Sequence, residues 1–304
     1  MGAHVLIAGC GDLGSRVAHL LAAQGDIERV TCLRRSLPES TGTGTSTRAA
    51  IHWVRADLTL SDTLDGLPQG ITHLLYTPTP GARDADAYRA VFLAGLENVL
   101  QHPALQAVQR VVFVSSSAVY GEHHGDWIDH TTPTAPLGFN GDILVQAESR
   151  ARVLAPDTAQ VTALRLAGLY GPGRTRLLTQ IKQGQARAPI DPPHWSNRIH
   201  IDDAARACVT LLTTPSIGPV YLGCDDTPLP QYELYAALAQ RMDAPEVADG
   251  PPPATVGSKR MRNDALRQLG WTPRHPDART GYWASTSATD ALASGAGDAA
   301  GLRK

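Results

Sequence analysis

Residues Val5-Leu6-Ile7-Ala8-Gly9-Cys10-Gly11-Asp12-Leu13-Gly14 constrain the fold of this chain more than any other stretch. An apolar run meets three glycines at spacings of two and three. Leu13, Val17, Leu20 and Leu21 then follow on one helical face until Gly25 supplies a stop. Strand, tight turn and helix in immediate succession make a βα unit whose helix N-terminus, with its unpaired N–H groups, faces the turn. Each glycine has its own steric reason: Gly9 allows the turn, Gly11 lets backbone approach a phosphate, and Gly14 lets the helix pack on the strand. The pattern predicts a dinucleotide pyrophosphate held at Gly9, Gly11, Asp12, Leu13 and Gly14, the alternative being a glycine-rich turn with no ligand.

About 20 residues past the last glycine, a carboxylate would bond the ribose hydroxyls of NAD. This chain has Leu33-Arg34-Arg35-Ser36 there instead. Two guanidiniums and a hydroxyl suit a 2′-phosphate, so NADP is expected in preference to NAD. Charge-assisted hydrogen bonds of about 1.5–3 kcal/mol each would set that preference. The alternative is a pair of solvated arginines. Asp57 and Leu58, in VRADL, close the third strand beside this site, where the carboxylate either accepts from the adenine amino group or caps a helix.

Short β-branched runs alternate with helical-period segments through the first half: RVTCLR, IHWV, ITHLLYT, residues 87–101, RVVFVSSS, residues 143–154 and VTALRL. Such alternation predicts βαβ units and a parallel sheet, an α/β fold. Residues 38–48 read as a mobile loop and residues 285–304 as a disordered tail, being poor in large apolar side chains.

The 304 residues carry 27 bases against 29 acids, a net charge of −2, with no basic stripe to follow a phosphate backbone. The expected partner is a small-molecule substrate, not nucleic acid. Four cysteines without a CxxC pair argue against a disulfide framework or a zinc site, and no metal is expected at Glu122, His123 and His124. The first strand starts too early for a secretory leader, and no apolar run approaches the ~20 residues of a membrane span. A cytoplasmic location is the expectation.

The segment VVFVSSSAVYG (111–121) resembles the catalytic strand of extended short-chain dehydrogenase/reductases, the NAD-dependent epimerase/dehydratase family. LRLAGLYGPGR (164–174), NRIHIDD (197–203), VYLGCDD (220–226) and LRQLGW (266–271) extend the likeness over about residues 3–284. The resemblance implies a Rossmann doubly wound parallel sheet of about seven strands with a small C-terminal α/β substrate lobe. Residues 1–171, with 197–225 returning to it, would form the cofactor-binding domain, and 172–196 with 226–284 the lobe. It also implies a homodimer through the helices at 87–101 and 143–154.

Hydride transfer in that family uses a Ser or Thr at the end of the fifth strand and a YxxxK pair on the next helix. Ser116 matches the first, with Ser117 beside it. The Tyr and Lys positions fall on Asn140 and Leu144, and no YxxxK occurs anywhere in the chain. This departure resembles the atypical members of the group. Tyr120 is the substitute proton donor assigned, against a packing role; Tyr76, His124 and His200 are further candidates, and Arg174 could hold an anionic substrate group or be a solvated arginine. The expectation is an NADP-binding, epimerase/dehydratase-like oxidoreductase acting on a small carbonyl or sugar-like compound. The alternative is a non-catalytic NADP-binding sensor that lacks the YxxxK pair.

Overall fold

In the computed structural model, residues 2–37 and 49–284 are described; the predicted mobile loop at 38–48 and the predicted tail at 285–304 lie outside them. Seven parallel strands form one sheet: β1 (Ala3–Ala8), β2 (Ile27–Arg34), β3 (Ala50–Arg55), β4 (His73–Tyr76), β5 (Arg110–Ser116), β6 (Gln160–Leu166) and β7 (Val220–Gly223). Their order is β7-β6-β5-β4-β1-β2-β3. This is the doubly wound Rossmann arrangement implied by the family resemblance. In the central strand β1, Val5, Leu6, Ile7 and Ala8 are all fully buried, as a strand covered on both faces requires.

Two layers of helices cover the sheet. α1 (Asp12–Ala22) packs against α5 (Ile201–Thr213), and its Val17, Ala18 and Leu21 are buried. The second layer is a helical rod over 85–100, here α2, packed on α3 (Phe139–Leu154). α2 starts at Ala85, two residues before the periodicity begins, because the Asp84 carboxylate caps it by accepting from Ala87 N–H at 2.8 Å. Its middle turn, Ala90–Ala94, is a π-turn, and the Tyr76 hydroxyl donates to the Val91 carbonyl there at 2.6 Å. A buried side chain thus satisfies a carbonyl within the widened turn.

α3 begins at Phe139, four residues earlier than its apolar periodicity suggests. A Cβ on Gly141 would lie 2.2 Å from the Ala118 carbonyl oxygen, so this glycine serves the close approach of α3 to the loop after β5 and does not break the helix.

Beyond β6, a short strand Gly168–Tyr170 pairs in parallel with Arg198–His200, which leads directly into α5. A second apolar cluster collects Ile181 of α4 (Arg176–Lys182), Leu234 and Leu238 of α6 (Gln231–Arg241), Ala188 and Val247. Among the described residues no helix is long and apolar enough to cross a membrane.

Candidate functional site

The strand order reverses between β1 and β4, and ligands of open α/β sheets bind outside the carboxyl ends of the strands at such a point. A cavity of about 550 Å³ lies there. Gly9, Gly11, Arg34, Arg35, Asp57 and Thr79 are among its lining residues. Gly9 has φ +85°, and a Cβ on it would fall 2.3 Å from Pro78 Cα. A Cβ on Gly14 would be 3.0 Å from Ile7 Cγ2, so helix and strand are in close contact. A Cβ on Gly11 would meet nothing within 4 Å. The one glycine with open space outside it is therefore the one expected to lie against a phosphate.

The end of β2 contributes the polar wall. Arg34 rests over the Trp53 ring at 5.8 Å, and Arg35 and Ser36 continue the cavity edge. Asp57 accepts from Thr59 N–H at 3.0 Å and from the Thr59 hydroxyl at 2.8 Å. These bonds, together with the charge of Arg35, hold its carboxyl below the usual range. The short helix that follows has Leu60 at its N-cap, so Asp57 closes a turn and does not cap that helix. Leu58 is buried beside it.

Asp12, the first residue of α1, bonds Arg16 at 2.9 Å and also pairs with Arg174. Burial pushes the Asp12 carboxyl up, but the bonds to Arg174 and Arg16 outweigh it and hold the group below its ordinary value. Leu13 turns inward and is buried. Arg174, placed by sequence on a substrate anion, thus reaches the glycine turn from the loop after Gly168–Tyr170.

The three serines at the end of β5 separate by face. Ser115 donates to Glu148 Oε1 at 2.6 Å, into the buried layer beneath α3. Ser116 is half-buried; its hydroxyl oxygen accepts from Ala118 N–H at 3.2 Å, leaving its hydrogen to donate elsewhere. Ser117 is half-buried beside it. Asn140 stands half-buried in the first turn of α3, while Leu144 is buried.

Tyr120 is almost wholly buried. Its hydroxyl accepts from Arg165 Nη1 at 2.7 Å and donates to the Asp129 carbonyl at 3.3 Å, and the guanidinium lies over its ring at 5.0 Å. Burial raises its pKa against the opposing effect of Arg165. Tyr76 is fully buried on Val91, and burial raises its pKa as well. His200 caps α5, its Nδ1 accepting from Asp202 N–H at 3.2 Å; burial and His275 lower its pKa to about 4. His124 lies exposed in a turn at φ +51°.

His200, Asp202 and His275 place potential ligand atoms within 4.8 Å of one another, a cluster the sequence did not announce because His275 lies more than 70 positions from the other two. Two of these groups are already engaged. His200 Nδ1 takes the Asp202 N–H, and Arg16 Nη1 holds Asp202 Oδ1 at 2.5 Å.

Sequence reasoning also missed Lys259. Its ammonium is buried, donates to the Gly257 carbonyl at 3.0 Å and points toward the Tyr120 carbonyl at 3.4 Å; burial lowers its pKa to about 8. A lone lysine 139 residues from its partner carries no local signal.

Residues 5–222 match the profile of the NAD dependent epimerase/dehydratase family. The chain belongs to this family. Its fold is the epimerase/dehydratase-type, NAD-binding oxidoreductase fold. A solved structure from Methylobacillus flagellatus, described as a candidate NAD-dependent epimerase/dehydratase, is 34% identical; the alignment covers 93% of this chain and 97% of that one, with a TM-score of 0.74. The UDP-glucose 4-epimerase of Thermus thermophilus, solved with NAD, is 21% identical over 92% of this chain and 96% of that one, TM-score 0.73, and shares the epimerase fold. Protein YeeZ of Escherichia coli K12 is 32% identical over 164 residues, 54% of this chain and 56% of that protein. The chain thus spans about half the length of this curated relative.

Proposed function

We propose that the chain is an NADP-dependent, epimerase/dehydratase-like oxidoreductase acting on a small carbonyl or sugar-like substrate. The observation that carries the cofactor preference is the wall formed by Arg34, Arg35 and Ser36 on the cavity, with no carboxylate at the end of β2. A 2′-phosphate would find two guanidiniums there, whereas the ribose hydroxyls of NAD would lack their usual acceptor. Gly11 fits the pyrophosphate because nothing occupies the space outside its Cα.

The nicotinamide of a bound dinucleotide supplies hydride exchange. This chain supplies positioning. Ser116, its oxygen held by Ala118 N–H, keeps a hydrogen with which to polarise a substrate oxygen. With no tyrosine on α3 and Tyr120 engaged by Arg165, the proton that the substrate oxygen takes up is assigned to water. We assign substrate recognition to the lobe of residues 172–196 and 226–284, and a homodimer contact to the outer sides of α2 and α3, where Val153 is 78% exposed.

The test is calorimetric binding of NADPH and NADH, followed by NADPH-oxidation assays with quinones, aldehydes and nucleotide-sugar ketones. Tighter binding of NADPH and turnover lost in Ser116→Ala support the reading. Equal affinity for the two cofactors removes the NADP assignment. Tight binding without turnover on any of these substrates favours a non-catalytic cofactor sensor, the role that Asn140 and Leu144 in place of the Tyr-Lys pair would suit.

A further inference from the structure

We infer that Arg174 is a clamp on the dinucleotide pyrophosphate, not a substrate residue. This inference rests on the cofactor reading given above and deepens it. A pyrophosphate at the N-terminus of α1 would bring negative charge beside the Asp12 carboxylate, the first side chain of that helix. An acid at this position needs a cation that can serve the phosphates too. Two arginines pair with Asp12. Arg16 is fixed, because Nη1 also holds Asp202 Oδ1 at 2.5 Å while Nε stays on Asp12 at 2.9 Å. Arg174 has no acidic partner other than Asp12 among the described residues.

The arginine's own loop brings it there. Gly171, at φ +122°, lets the chain turn after Tyr170; a Cβ at that position would press on His200 Nε2 at 2.8 Å. The Arg174 N–H then closes the turn on the Gly171 carbonyl at 3.1 Å. The guanidinium crosses from this loop to Asp12, one residue past Gly11 in the glycine turn.

The Arg174–Asp12 pair is open to exchange, since its side chains are 28% and 44% exposed and ion pairs in such positions are held weakly. A dianionic pyrophosphate is the stronger partner, and a guanidinium can bridge two of its oxygens in bidentate fashion. Asp12 thus parks Arg174 beside the phosphate position, and arrival of the dinucleotide transfers the arginine to the phosphates while Arg16 keeps Asp12 paired.

The test is calorimetric titration of wild type, Arg174→Ala and Asp12→Asn with NADP+ and with 2′-AMP, a fragment that reaches the Arg34–Arg35 wall but contains no pyrophosphate. Arg174→Ala should weaken NADP+ binding about tenfold, as loss of one charge-assisted contact predicts, and leave 2′-AMP unchanged. Asp12→Asn should bind NADP+ at least as tightly as wild type. Unchanged NADP+ affinity in Arg174→Ala, or equal losses for NADP+ and 2′-AMP, would overturn the clamp. A wild-type protein that binds no dinucleotide would overturn the cofactor reading and the clamp together.

Discussion

Arg165 grips both carboxylate oxygens of Glu148, Nε at 3.1 Å and Nη2 at 2.7 Å, while its Nη1 donates to the Tyr120 hydroxyl. Both charged side chains are nearly fully buried directly behind the strand end that carries Ser115 and Ser116. Such a bidentate pair fixes β6 to α3 at the point where the candidate active site begins. Removing one partner leaves a buried charge without compensation. Glu148→Ala should therefore lower the unfolding free energy by about 3–5 kcal/mol. The measure is urea denaturation followed by circular dichroism, with Glu148→Gln falling between the variant and wild type.

Gly9 and Gly11 make different demands and should separate fold from binding. Gly9→Ala combines a positive φ with a clash on the Pro78 backbone, so a drop in melting temperature is expected. Gly11→Ala meets open space, so its melting temperature should stay close to that of wild type. Its methyl would stand between backbone and phosphate, however, and NADPH affinity should fall at least tenfold, by about 1.4 kcal/mol or more. Differential scanning fluorimetry with and without NADPH reads both effects. A Gly11→Ala protein that binds normally would remove the phosphate from that position.

The end of β2 predicts a cofactor-specific loss. Arg35→Ala should weaken NADPH by roughly 10–100-fold and NADH by much less, because the lost charge-assisted bond goes to a phosphate that only one of them has. Arg34→Ala should show a smaller version of the same pattern, since that guanidinium is shared with the Trp53 ring. The ratio of the two dissociation constants, not either alone, is the relevant measure.

Stability should depend on pH through two buried groups of opposite sense. His200 takes up its proton near 4 in the folded chain but near 6.5 when unfolded, so its contribution is present above about 6.5 and is lost as pH falls toward 4. Asp225 is buried, and desolvation raises its carboxyl to about 8. The folded chain keeps that proton while an unfolded carboxyl near 4 has released it, so stability from Asp225 is present at low pH and fades between about 4 and 8. The two trends oppose each other below about 6.5, and above it only the Asp225 decline remains. Asp225→Asn should flatten the fall between about pH 6.5 and 8. His200→Asn, which retains a capping oxygen for α5, should reduce the acid-side loss, the remainder belonging to other histidines such as His4, His73 and His194, whose values burial also lowers. Melting temperatures across roughly pH 4–8 test both, and a wild-type curve level from about 6.5 to 8 would contradict the state assigned to Asp225.

The sequence by itself determined the architecture, because the information for it is local. A buried parallel strand writes itself as a continuous apolar run, as in Val5–Ala8, and the turn that follows must use glycine wherever φ is positive or a backbone approaches closely. The same locality made Arg34, Arg35 and Ser36 legible as one wall, since consecutive residues at a strand end reach one cavity. It placed the start of α3 at 143, four residues late, because the first turn at Phe139–Asp142 lacks the apolar periodicity and includes Gly141, packed against the Ala118 carbonyl. Tertiary structure alone decided the partners of the charged groups. Arg174 meets Asp12 across 162 residues, Arg165 lies on Tyr120, and Lys259 is buried against Gly257 with its ammonium turned toward Tyr120. Such pairings follow from which strand and loop ends the sheet brings side by side, and side-chain electrostatics acts through space with no trace in residue spacing.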